Sequence, residues 1–210
     1  MAEKPKIILS IETALGGGSL AILHNDCLID HLKGELSRIS KAEYLLEQIS
    51  NLLIRNGIEK KEIGLIGVSK DTGSLTGEKI GLAISKGLSR AIGCKVVEVP
   101  ILDVLLTKVP DDFQGKFITG IVTGKDRILW QGREQRDSLF YNLSDKPSSG
   151  NQAEINALAE SDEYNLLIIA ANENIKFLPG KFSVMIEPAA DLAILIGTAT
   201  NKMRPIIKYN

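Results

Sequence analysis

The chain has 210 residues, 44% of them apolar and 24% charged, which suffices for one large or two small domains around a buried core. With 25 basic against 26 acidic residues the formal net charge is -1, so the broad positive field with which nucleic-acid binders collect phosphates is absent. Cys27 and Cys94 stand alone and far apart, arguing for neither a disulfide framework nor a zinc site, and no apolar run reaches membrane-spanning length. The expected setting is a reduced cytoplasm, with no export signal and no membrane contact.

In chain order, Lys6 to Ile11 is a short apolar run ending in Glu12 and Thr13. Three glycines, Gly16 to Gly18, lead into a second run from Ser19 to Leu23, and His24-Asn25-Asp26 signals a turn before a third run from Cys27 to Leu32. This predicts an antiparallel meander of three strands. From Ala42 to Arg55 the period changes: Leu45, Leu46, Ile49, Leu52 and Leu53 share one helical face, and Asn56-Gly57 supplies the stop. A strand from Glu62 to Ser69 and a loop from Lys70 to Thr76 precede a helix over 77–92 that Gly93 closes; Thr76 is its natural N-cap. Val96 to Val99 reads as a strand and Ile101 to Lys108 as a short helix.

The second half repeats this scheme. Phe117 to Val122, Ile128 to Gly132 and Asp137 to Tyr141 read as strands, and Ser144 to Gly150 as a polar break. Then come a helix over Gln152 to Glu160, a strand over Leu166 to Ala170, another over Ser183 to Ile186, and a helix that Pro188 opens and Ala189 to Thr200 continues. The element order predicts an α/β protein of two βββαβα units joined near Pro110, the arrangement of the actin-like superfold. The expected division is a first lobe over 1–109, with the C-terminal segment 187–210 packing back on it, and a smaller second lobe over 110–186.

Two segments carry a resemblance. One is Ile8-Leu-Ser-Ile-Glu-Thr-Ala, followed by the glycine-rich connection and Ser19-Leu-Ala-Ile-Leu. The other runs from Ile66 through Gly73-Ser-Leu-Thr-Gly-Glu-Lys-Ile-Gly to Leu88, with Gly73, Ser74, Thr76, Gly77, Ile80, Gly81, Ala83 and Gly87 in step with a Gly-Ser-Phe-Thr-Gly-Leu-Arg-Ile-Gly signature and the helix after it. Both resemble the TsaB (YeaZ) family of tRNA threonylcarbamoyladenosine biosynthesis, over about the first half of the chain. The sequence departs from that pattern at Glu12 (for aspartate), Lys41 (for histidine), Thr72 (for proline) and Thr123-Gly-Lys (for Asp-Ala-Arg).

The resemblance implies an actin-like, ribonuclease H-like two-lobe fold and a non-catalytic scaffold role beside a TsaD-like subunit. A TsaE-like ATPase is a further implied partner, tRNA is handled indirectly through the complex, and the chain alone is expected to form a homodimer. No cofactor or metal is expected on the isolated chain, with ATP or ADP and magnesium held only in the complex. The implied partner face is Leu45, Leu46, Ile49 and Leu53 with the small-residue helix positions Gly77, Gly81 and Ser85; packing of that helix on its own sheet is the competing reading. Near an anion or nucleotide stand Glu12, Thr13, Gly73, Ser74 and Thr76, because loop amides before a helix N-terminus favour negative charge.

Catalytic residues are expected to be none. Only Glu12 is placed to hold magnesium; Lys125 and Asp126 read as an exposed turn pair, and His24 and His31 as surface residues lacking a third ligand. Two alternatives stay open: a small ATP-binding phosphotransferase or ATPase using Glu12 and the Gly73 loop, and a stand-alone paralogue with another binding role.

Overall fold

The structure is a computed structural model and describes residues 7–15, 17–25, 27–33, 42–72, 74–124, 127–137, 139–161, 163–171, 183–188, 191–201 and 207–208. The chain divides into two compact units: residues 1–104 with 190–202, and residues 105–189 with 203–210.

In the first unit, β1 (Ile7–Glu12), β2 (Ser19–His24) and β3 (Cys27–Leu32) form the antiparallel meander that the sequence predicts. Asn25 supplies the positive φ of 56° that turns β2 into β3, a conformation asparagine tolerates better than most residues. β4 (Ile63–Lys70) lies parallel to β1, and β5 (Lys95–Pro100) parallel to β4, giving the sheet order β3-β2-β1-β4-β5. Parallel neighbours need crossovers, and two helices supply them: α1 (Ala42–Arg55) between β3 and β4, and α2 (Leu75–Ile92) between β4 and β5.

Side chains alternate across a strand, so β1 and β2 serve two cores. Leu9, Ile11, Leu20 and Ile22 pack on one face with Leu45, Ile49, Leu52 and Leu53 of α1 and with Ile66 and Val68 of β4. Ile8, Ala21 and Leu23 point the other way and pack with Ala193 of α5 (Leu192–Asn201). Glycines let α5 lie close to the sheet. A β-carbon on Gly67 would stand 2.2 Å from Thr200 Oγ1, and one on Gly197 would stand 2.2 Å from Leu23 Cδ1.

The second unit repeats the strand order. β6 (Gly115–Gly124), β7 (Arg127–Arg136) and β8 (Leu139–Asn142) are antiparallel, and β10 (Leu166–Ala171) and β11 (Ser183–Pro188) follow parallel to β6, giving β8-β7-β6-β10-β11. β9 (Ser148–Gly150) pairs with β7, and β12 (Ile207–Lys208) with β8. α4 (Gln152–Glu160) packs Ile155 into a core of Ile118, Ile128, Tyr164, Leu167 and Ile169. The fold is thus the actin-like arrangement of two like units.

Four local readings are corrected. α2 starts at Leu75, two residues early, because Ser74 is its extended N-cap (φ -115°, ψ 90°); Thr76 lies inside the helix. Residues 101–108 form a single α-turn, α3 (Ile101–Val104), followed by a 3-10 turn over Leu105–Lys108. The polar break contains β9. Pro188 is the last residue of β11, the described α-helix starts at Leu192, and residues 189–190 of the expected helix lie outside the described residues.

Candidate functional site

Glu12 closes β1 and points its carboxylate at the loop that follows it. The side chain is fully buried; Ala14 N donates to Oε1 at 2.7 Å, and Leu15 N donates to Oε1 at 3.1 Å and to Oε2 at 3.2 Å. Burial pushes the carboxyl up to about 7 from its ordinary 4.5, against the pull of the Ala14, Leu15 and Thr13 amides, which favour the charged form. The loop then tightens through Gly18 N donating to Leu15 O at 2.8 Å, with Gly17 and Gly18 at φ 84° and 87°, values that a residue with a β-carbon adopts only under strain.

Helix α2 holds the same loop from its other side. Thr13 Oγ1 donates to Gly77 O at 2.7 Å, and a β-carbon at Gly77 would stand 2.5 Å from Thr13 O. One at Gly81 would stand 2.5 Å from Thr13 Oγ1. These two glycines therefore permit an approach within the chain. Ser85, on the same stripe, is also buried, and its Oγ has no partner among the described residues.

The second loop, between β4 and α2, follows a similar rule. Asp71 takes φ 57° as the chain leaves β4, and Thr72 is buried. Thr72 N and Thr72 Oγ1 donate to Glu78 Oε2 at 3.1 and 3.3 Å, and Ser74 N donates to Thr72 Oγ1 at 3.3 Å. Glu78 sits in the first turn of α2, where a carboxylate suits the helix dipole. That first-turn acid was the available sequence signal for its role, and the reading of the loop missed it. Gly73, Lys125 and Asp126 lie outside the described residues.

Of the residues assigned to a partner face, Leu45, Ile49 and Leu53 are buried in the first unit's own core, and Gly77, Gly81 and Ser85 face the chain's own loop and sheet. These six are corrected to packing positions. Leu46 alone of that set is open, at 49% exposure, and two residues outside the set are more open still: Ile54 of α1 at 73% and Leu75 of α2 at 72%. Gly87 of α2 differs from the other two glycines, since a β-carbon there would meet nothing within 4 Å. His31 lies 4.0 Å from Asp191, which Lys33 also approaches at 3.1 Å. Among the described residues, no three of the histidine, cysteine, aspartate and glutamate side chains are grouped to hold a metal ion.

The family model for TsaD, tRNA N6-adenosine threonylcarbamoyltransferase, matches residues 35–206. The tRNA threonylcarbamoyladenosine biosynthesis protein TsaB of Buchnera aphidicola subsp. Baizongia pistaciae (strain Bp) is 27% identical over 127 residues, which are 60% of this chain and 57% of that protein. The tRNA N6-adenosine threonylcarbamoyltransferase of Porphyromonas gingivalis (strain ATCC BAA-308 / W83) is 26% identical over 110 residues, 46% of this chain and 32% of that one. The matches thus span little more than half of the first relative and a third of the second. YeaZ from Pseudomonas aeruginosa superposes with a TM-score of 0.63 at 17% identity, over 94% of this chain and 93% of that one. A structure described as similar to peptidase YeaZ from Pseudomonas aeruginosa superposes with a TM-score of 0.60 at 17% identity, over 95% and 97%. These two likenesses carry the fold, and the family model spans most of the chain: the protein belongs to the TsaD family of tRNA N6-adenosine threonylcarbamoyltransferases, as a TsaB/YeaZ-type member.

Proposed function

We propose that this chain serves tRNA threonylcarbamoyladenosine formation as a non-catalytic partner of a TsaD-like subunit, with nucleotide and tRNA handled by the complex. The observation that carries the reading is the exposed apolar set on the two crossover helices, Leu46 and Ile54 of α1 and Leu75 of α2, in a unit whose remaining helix leucines and isoleucines are largely packed. Large apolar side chains held in water on rigid helices suit a protein partner better than a small ligand. Gly87 adds to this. A glycine in a helix interior costs about 1 kcal/mol relative to alanine, and its own fold gives no steric reason for it, so a partner's close approach supplies one. A second copy of the chain occupies the same face when the partner is absent.

The test is the solution mass of the chain alone, mixed with the TsaD-like protein of the same source, and repeated with Leu46→Asp and Ile54→Asp. The expected result is a heavier complex with the native chain, and its loss with variants that keep the native melting curve. A native chain that ignores the TsaD-like protein removes this reading.

A further inference from the structure

The first unit contains two loops of the kind that can hold an oxyanion, a hairpin after the first strand and a turn before a helix N-terminus. In both, amides that would meet an external oxyanion already meet a carboxylate of the same chain. Ala14 N and Leu15 N lie 2.7 to 3.2 Å from the Glu12 carboxylate, and Thr72 N lies 3.1 Å from Glu78 Oε2. The hairpin is closed from its carbonyl side as well, because Gly77 brings α2 against Thr13 O and leaves no room for the loop to swing that way. Glu12 is fully buried and Leu15 is 5% exposed, while Ala14, whose amide makes the shortest of these bonds, is half-buried.

We infer that Glu12 and Glu78 act as built-in oxygen acceptors: the hairpin is an oxyanion site filled by the chain's own Glu12 carboxyl group, and the first unit excludes nucleotide phosphate for that reason. The residues present therefore do not fit a magnesium nucleotide in the manner of an actin-like ATPase. Glu12, the one acid placed for the metal, is turned into the loop it follows. Shortening Glu12 to alanine leaves amides aimed at a space the size of a carboxylate, so the ligand class that fills it is a small planar or tetrahedral oxyanion, with formate the smallest member. This inference stands on the loops of the first unit and does not depend on the partner reading.

The test is thermal melting of the wild type and of Glu12→Ala at pH 8, in sodium formate against sodium chloride of equal ionic strength. The expected result is a lowered melting temperature for Glu12→Ala that formate raises saturably, by about 3–6 °C at ten times its dissociation constant, with the wild type unmoved. If Glu12→Ala is unfolded in chloride, formate is expected to restore a cooperative melt; failure to restore either the temperature or the fold overturns the inference. Amide resonances of Ala14, Leu15 and Thr72 in the wild type give a readout that needs no variant. They are expected to stay in place when inorganic phosphate or magnesium ATP is added, and saturable movement of any of them overturns the inference. Loss of the TsaD-like complex leaves both readouts unchanged, so the two ideas fail separately.

Discussion

A β-carbon at Gly77 would sit 2.5 Å from a backbone oxygen, which cannot rotate away, whereas at Gly81 the obstacle is the Thr13 hydroxyl, which can turn only by giving up its bond to Gly77 O. Alanine at either position is therefore expected to lower stability by about 1–3 kcal/mol despite its better helix propensity. Alanine at Gly87 meets open space and is expected to raise stability by up to about 1 kcal/mol. Urea unfolding of the three variants separates these signs, and a Gly77→Ala protein as stable as wild type contradicts the packing described. Glu12 gives a second prediction. Its carboxyl titrates near 4.5 when unfolded and near 7 when folded, so between those values the folded state holds more protons, and stability is expected to fall as pH rises across that window and to level off above it. The fall from this group is about 3 kcal/mol at most. Unfolding free energies measured from pH 4.5 to 8 should show the slope in the wild type and lose most of it in Glu12→Gln.

At the level of elements, β3 is tied to α1 by one polar cluster. Asp30 accepts from Arg55 Nε at 2.5 Å and Arg55 Nη2 at 2.7 Å, and Asn56 Nδ2 donates to Asp30 Oδ2 at 2.6 Å. The Arg55 hydrogen bonds, with smaller help from Asn56, hold the Asp30 carboxyl at about 2, below its ordinary 3.8. A depressed carboxyl stabilises above its unfolded value and loses that contribution as pH falls through about 2. Because Arg55 is half exposed and screened by solvent, Asp30→Asn is expected to cost about 1 kcal/mol at neutral pH, and added salt should shrink the difference. The helix period of α1 was legible in the sequence because Leu45, Ile49, Leu52 and Leu53 form one buried apolar stripe. β7 was not legible over its full length. Its polar residues Gln131, Arg133 and Gln135 interrupt the apolar run, yet all three are buried, with Arg133 donating to Thr119 Oγ1 at 3.0 Å and Asn142 Oδ1 at 2.8 Å. Those partners lie on β6 and β8, neighbours that no local pattern reveals. The partner face failed for a related reason, since a stripe at positions 45, 49 and 53 looks the same whether a sheet of the same chain or another protein covers it.

For the molecule as a whole, α5 is the element that completes the first unit from late in the chain. It covers Ile8, Ala21 and Leu23 and donates Ala193 N to Ser19 Oγ at 3.2 Å, although it follows the second unit in sequence. A chain cut after residue 189 is expected to lose the cooperative unfolding of both its halves and to expose one face of the β3-β2-β1-β4-β5 sheet, seen as binding of a hydrophobic dye. Retention of the wild-type melt would show that the sheet stands without its cover. The two-like-units plan was readable because the order of strand and helix periods repeats. The return of residues 190–202 to the first unit has its physical cause in the packing of Ile8, Ala21 and Leu23 on Ala193, whereas β12 pairs with β8 of the second unit.

That return has a consequence for synthesis. Strands β1 to β5 leave the ribosome early, but the helix that covers their second face is made only after residues 105–189 of the second unit, at the far end of the stretch from residue 104 to residue 192. At translation rates of about 5–20 residues per second, the sheet waits on the order of 10 s with that face open to water and to chaperones. The unit begun first therefore stays open until late in synthesis, and a slow codon run between residues 105 and 189 prolongs the interval in which the nascent chain is most prone to aggregate.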